Sequence, residues 1–222
     1  GADRRAMVRD MSIDAPAPPA EELARLARGE HHDPHAILGA HPAPGGTVIR
    51  AFHPDASAAA LVAPNAGTQA MEPIGHGVWA GVVAGIAPGQ FSYRVRFGFP
   101  DGNAWERDDP YRFGPTIGEV DLHLIAEGTH ERLYDVLGAH PRTHQGVAGV
   151  SFAVWAPNAR SVRIVGDFDR WDGRLMPLRS MGASGVWEIF VPGIGPGELY
   201  KYEILGRDGT LRLKADPLAF SM

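Results

Sequence analysis

The stretch ILGAHP at 37–42 returns as VLGAHP at 136–141, with Leu38 and Leu137 99 positions apart. The recurrence continues in order. TVIRAFHPDASAAALVAP (47–64) is answered by GVSFAVWAPNARSVRIVG (149–166), and GVWAGVVAGIAPG (77–89) by GVWEIFVPGIGPG (185–197). FSYRVRF (91–97) is answered by LYKYEIL (199–205), and DPYRF (109–113) by DPLAF (216–220). The chain therefore carries two copies of one unit, and the drift in spacing is that of loop insertions. Each copy is rich in period-2 patterns, β-branched and aromatic residues, and Asp-Gly turns at Asp101-Gly102 and Asp208-Gly209. That combination predicts an all-β chain of two tandem immunoglobulin-like β-sandwiches with short flanking helices.

The composition agrees. Gly 28 and Pro 19 in 222 residues supply the turns, and 44% hydrophobic residues suffice for a core in each unit. The net charge of −5 and the lack of a basic run argue against nucleic acid as a partner. No apolar run is long enough to span a membrane, so no membrane partner is expected. With no cysteine there are no disulfides, and a reducing, cytoplasmic setting fits. The expected layout is a disordered tail over 1–20, a first sandwich over 21–114, a linker over 115–128 and a second sandwich over 129–222. Helices are expected within 18–30, where Leu23 and Leu26 share a face, and within 129–138, where Thr129 would cap and Leu133, Val136 and Leu137 would share a face. Trp79 and Trp187 should occupy equivalent, largely buried positions. Trp155 also lies in an alternating strand and is read as core.

Few residues invite chemistry. His31, His32, His35 and Asp33 in HHDPH are metal-ligand types, but Pro34 extends the backbone and the second copy lacks the cluster. The motif is read as a structural turn, and neither metal nor cofactor is expected. Asp167, Asp169 and Asp172 crowd one loop, whereas glycosidic hydrolysis needs two carboxyls facing across a cleft. No catalytic residue is assigned. GDFDRWDG (166–173) is the strongest signal: Trp171 stands in a polar, glycine-flanked loop rather than a strand. An exposed indole there can take the apolar face of a glucose ring. Its rival role is a loop anchor folded onto the sandwich. Counted along the repeat, the first-copy counterpart of Trp171 is Thr68.

GVSFAVWAPNARSVRIVGDFDRWDG, LYKYEILGRDG and KADPLAF resemble the N-terminal region of bacterial 1,4-α-glucan (glycogen) branching enzymes. Residues from about 130 to 220 look like their family 48 carbohydrate-binding module. Those from about 30 to 115 look like the extra domain many of them carry ahead of it, with HHDPHAILGAHP as its mark. The resemblance implies a (β/α)₈ catalytic barrel elsewhere in the polypeptide, which transfers α-1,4-glucan segments to form α-1,6 branches. No position here matches its catalytic residues, so these 222 residues alone should be inactive. In glucan-binding modules of the family, a Trp in the GxFxxW loop stacks on glucose and a Lys in a YKF-like strand bonds hydroxyls. Trp171 and Lys201 stand at those positions. Strong binders add a second Trp after the Asp-Gly turn, where this chain has Leu211 and Leu213. Weak binding to α-glucan (glycogen, maltooligosaccharide) is the implied partnership. A free-standing glucan-binding module and a structural brace without sugar affinity are the alternatives.

Overall fold

The computed structural model describes residues 15–64 and 67–218. Most of the tail expected over 1–20 lies outside the described residues. Helix α1 (Ala20–Ala27) starts with Glu21 and Glu22 at its positive end and buries Leu23 and Leu26. The chain then turns at Gly29 (φ 69°). A single 3₁₀ turn, Pro34–Ala36, leads into β1 (Gly39–Ala43), β2 (Gly46–Phe52), β3 (Ala58–Ala63), β4 (Gly67–Ala70), β5 (Glu72–Gly75), β6 (Val78–Ala84), β7 (Arg94–Gly98) and β8 (Ala104–Asp108). Two antiparallel sheets result, ordered β1-β2-β6-β5 and β4-β3-β7-β8. Ile49 and Ala51 of one face Leu61, Val95 and Phe97 of the other.

The second unit repeats the plan. Helix α2 (Glu119–Glu127) and the 3₁₀ turn Leu133–Asp135 precede β9 (Gly138–His144), β10 (Val147–Trp155), β11 (Ala159–Gly166), β12 (Arg179–Ser180), β13 (Val186–Pro192), β14 (Tyr200–Gly206) and β15 (Leu211–Lys214). Its sheets run β12-β13-β10-β9 and β11-β14-β15. The first order is that of the first unit strand for strand, and the second lacks a counterpart of β4. The register repeats as well: Trp79 pairs with Ala51 and Trp187 with Val154. Trp187 is buried, but Trp79 is only half-buried.

The recurring LGAHP has a local cause. Gly39 and Gly138 sit at φ 91° and 94°, a region that favours glycine. A Cβ on Gly39 would lie 2.2 Å from the Tyr111 carbonyl oxygen, and one on Gly138 3.2 Å from that of Leu218. His41 Nε2 donates to Leu38 O at 2.9 Å, and His140 Nε2 to Leu137 O at 2.8 Å, so each histidine closes its own turn. A second pair ties each helix down: His31 Nε2 donates to Glu22 at 2.7 Å, and His130 Nε2 to Asp121 at 2.8 Å.

Two expectations are corrected. The second helix is not at 129–138 but inside the stretch read as linker, and Thr129 follows its end, where its hydroxyl donates to Leu124 O. The spacing of Leu133, Val136 and Leu137 mimics a helix, yet that segment copies the 3₁₀ turn at Pro34, and α2 lies one repeat beyond α1. Trp155 is not core. On β10 the inward side chains are Val150, Phe152 and Val154, so Trp155 falls out of phase on the outer face and is 58% exposed.

The two units share one apolar cluster. Leu23, Leu26 and Phe52 of the first join Leu175, Met176 and Leu178 of the second, continuous with the core around Phe152 and Tyr202. Polar contacts stitch the seam: Tyr111 Oη donates to Pro177 O (2.9 Å), Ser161 Oγ to Gly29 O (2.6 Å) and Ser180 N to His32 O (2.8 Å). Beyond Tyr111, Phe113 packs on Phe190 and His144, and Thr116 bonds the wholly buried Glu188, which also holds Arg179 at 2.6 Å.

Candidate functional site: the Trp171 loop

Strand β11 ends at Gly166, and the next twelve residues differ from the first unit. Ala60 pairs with Ala70 across ten positions, whereas the equivalent Arg163 bridges to Pro177 across fourteen. The four extra residues lie in the loop that carries Trp171. Thr68, by contrast, is paired with Val62 within β4. Trp171 therefore has no true structural counterpart, and the simple count to Thr68 ignored the insertion.

The loop is held from inside. Residues Asp167–Asp169 form a 3₁₀ turn, after which Arg170 and Trp171 both take left-handed backbone, φ 56° and 60°. Such a conformation costs free energy for side chains other than glycine and needs support. Asp169 gives it: Oδ1 accepts from Gly166 N (2.9 Å) and Trp171 N (3.1 Å), while Trp171 N also donates to Gly166 O (2.9 Å). Asp169 is 1% exposed and its Oδ2 has no partner. Burial outweighs these bonds and pushes its carboxyl up to about 7. The indole edge is pinned too, with Nε1 donating to Asp167 Oδ1 at 2.9 Å. Trp171 as a residue remains 43% exposed. It is fixed in place without being folded into the core.

Further along, Arg174 forks onto Asp55 of the first unit (2.7 and 3.2 Å) and Asp172 (2.7 Å). The guanidinium holds both carboxyls below their ordinary range. The loop then dives into the shared cluster at Leu175 and Met176. Between the units lies a cleft of about 690 Å³ lined by His53, Phe99, Asp101 and Trp105 on one side and Asp167 and Asp169 on the other. Burial there lowers the His53 imidazole to about 4.

Lys201 is exposed on β14, opposite Val165, one position from the Gly166–Tyr200 pair where the Trp171 loop begins. By strand alternation it shares the outer face of the β11-β14-β15 sheet with Glu203 and the exposed Leu211 and Leu213. The fold thus sets Lys201 and the root of the Trp171 loop at one end of one sheet. The histidines do not converge. His31 bonds Glu22, His32 stacks on His31 at 5.5 Å, and His35 packs on Tyr111 at 4.8 Å. Among the described residues no three His, Asp or Glu side chains form a group that could hold a metal ion. The three loop carboxylates are each engaged locally: Asp167 by the indole, Asp169 by backbone, Asp172 by Arg174. Sequence reasoning missed the buried role of Asp169 and the cleft, because both depend on how the two units meet. No helix among the described residues is long and apolar enough to cross a membrane.

Residues 19–111 match the family model described as alpha-1,4-glucan branching enzyme GlgB, N-terminal domain. Residues 136–219 match carbohydrate-binding module 48 (isoamylase N-terminal domain). The chain is 56% identical over 216 residues to the 1,4-alpha-glucan branching enzyme GlgB of Frankia casuarinae, covering 94% of this chain and 26% of that protein. It is 51% identical over 219 residues to the namesake from Rhodococcus jostii (95% and 29%). Identity to 1,4-alpha-glucan branching enzyme GlgB 1 of Streptomyces coelicolor is 50% over 205 residues (92% and 26%). The chain spans between a quarter and a third of the length of these curated relatives.

Proposed function

Since this chain belongs to the 1,4-alpha-glucan branching enzyme family as its N-terminal pair of domains, we propose that it is the non-catalytic part that positions α-glucan. The catalytic barrel would lie elsewhere in a longer cytoplasmic polypeptide. It would break an α-1,4 bond of a donor chain and form an α-1,6 bond to a 6-hydroxyl. The observation that carries the reading is the Trp171 platform: an exposed indole locked by its edge and by two backbone bonds to Asp169. A glucose ring lays its CH face on the indole, and the Lys201 ammonium meets hydroxyls at the same end of the sheet. The first unit braces the loop through Asp55 and the shared cluster.

One stacked ring buries little area against an association cost of at least ~4 kcal/mol. The affinity expected is a Kd near the millimolar range, about −4 kcal/mol. The test is a maltoheptaose titration followed by NMR. Trp171→Ala should abolish the shifts, and Lys201→Ala should weaken binding by at most ~1.5–3 kcal/mol. Thr68→Ala should bind as wild type. Shifts that survive Trp171→Ala would leave the indole a loop anchor and the chain a structural brace. An unchanged iodine spectrum of amylose incubated with the chain supports the non-catalytic assignment, and a changed one removes it.

A further inference from the structure

We infer that the cleft between the two units is a second saccharide subsite, in which an α-glucan chain stacked on Trp171 continues between an aromatic wall of the first unit and Asp169 of the second. The inference rests on the reading above, in which Trp171 takes a glucose ring, and it gives the first unit its own contacts with the sugar.

Both walls of the cleft are held in place by the protein itself. The second-unit wall is the loop lengthened by four residues, for which the first unit has no equivalent. Arg174 ties that loop across the seam by forking onto Asp55 at 2.7 and 3.2 Å, and Leu175 and Met176 root it in the shared core. The opposite wall lies at the end of the β7–β8 hairpin, where Phe99 and Trp105 close on His53 with ring centroids at 4.8 and 5.4 Å. The Arg107 guanidinium stacks over the Trp105 ring at 4.6 Å and steadies it. A ligand therefore has little to order when it enters. The volume of about 690 Å³ lies within the ~300–1,000 Å³ of small-molecule sites.

Three polar groups of the cleft match sugar hydroxyls. Asp169 is 1% exposed; its Oδ1 takes the Gly166 and Trp171 amides, and its Oδ2 has no partner. A buried carboxyl oxygen without a hydrogen bond carries a desolvation cost, which a hydroxyl in the cleft would remove. His53 Nδ1 accepts from Asp55 N at 3.2 Å, so the ring proton sits on Nε2, and burial keeps the imidazole neutral at neutral pH. It offers a donor without a charge. Asn103 gives its Nδ2 to Asp101 at 2.7 Å and keeps its amide oxygen as an acceptor. Aromatic rings beside neutral donors and acceptors suit a neutral saccharide. An anion would meet the carboxylates of Asp101 and Asp167, and among the described residues no three carboxyl or imidazole groups converge to hold a cation.

Asp167 joins the cleft to the platform. Its Oδ1 takes the Trp171 indole N–H at 2.9 Å, and the same residue lines the cleft. A chain that leaves the indole over that edge enters the cleft at Asp167.

The test is NMR titration of the 222-residue chain with maltose and with maltoheptaose, read at the indole N–H groups of Trp171 and Trp105 and at the side-chain amide of Asn103. Maltoheptaose should shift all three, and maltose only that of Trp171. Ala104, exposed at the start of β8 on the cleft wall, is the residue to enlarge. Ala104→Arg should weaken maltoheptaose roughly threefold, the worth of one neutral hydrogen bond, and leave maltose unchanged. His53→Phe, which keeps a ring and removes the donor, should do the same. Maltoheptaose shifts confined to Trp171, or an affinity unchanged in both variants, overturn the inference and leave the platform standing. Shifts at Trp105 without any at Trp171, or none at all three groups, remove the platform reading, and the continuation falls with it.

Discussion

Replacing Asp169 with Asn should make the chain more stable at neutral pH, with a gain that grows as pH rises from about 4 to about 7 and then levels off. In the fold the Asp169 carboxyl titrates at about 7. In an unfolded chain an Asp titrates near ~3.9. Between those values the folded state holds a proton that the unfolded state has released. Stability therefore falls as pH rises, and the contribution of the protonated acid is lost as pH passes about 7. Three pH units correspond to about 4 kcal/mol, and water in the adjoining cleft relieves part of the burial, leaving about 2–4 kcal/mol. Asn keeps an oxygen for the Gly166 and Trp171 amides and sets an N–H₂ donor where Oδ2 carries its proton, with nothing to titrate. Urea unfolding of both proteins at pH 5 and pH 8 reads the effect. The stability difference should widen by about 1–3 kcal/mol in favour of Asn across that range. Parallel curves would refute the buried, protonated carboxyl and with it the account of what holds Trp171 in left-handed backbone.

His53 should act in the opposite direction on the other wall of the cleft. Its folded value of about 4 lies below that of free imidazole, so stability is lost as pH falls from ~6.5 through 4, and His53→Phe should flatten that acid limb in a pH-dependent melt. Gly39→Ala should lower the melting temperature more than Gly138→Ala: both strain the backbone, but only the first drives a Cβ to 2.2 Å from a carbonyl oxygen. Glu188→Ala should cost about 3–5 kcal/mol in denaturant unfolding, because it strands the Arg179 guanidinium in a buried site.

The repeat made the architecture legible. The pair of similar β-sandwiches and the Trp187 core position follow from two aligned copies, because matching local patterns bury matching faces. The errors arose where a residue's type or spacing was read apart from its place in the repeat. Leu133, Val136 and Leu137 have helical spacing, yet the first copy, with Pro34 at the matching point, already marks a turn. Trp155 has the bulk of a core residue, and only its phase against Phe152 and Val154 gives it away. At the site, Trp171 and Lys201 were visible as residue types out of place. Asp169 was not, since a buried carboxyl bound to its own loop looks in sequence like any other surface Asp.

The shared apolar cluster decides what can be cut. Leu175, Met176 and Leu178 belong to the second sandwich in sequence, yet they are buried in the cluster that also takes in Leu23, Leu26 and Phe52. Unfolding the first unit alone would strip cover from them and slacken the Arg174 tether beside Trp171. The two sandwiches are therefore one cooperative folding unit, and they should melt in a single transition rather than as two beads on a thread. A fragment excised as residues 129–218 would carry that uncovered strip into solution, and it would self-associate.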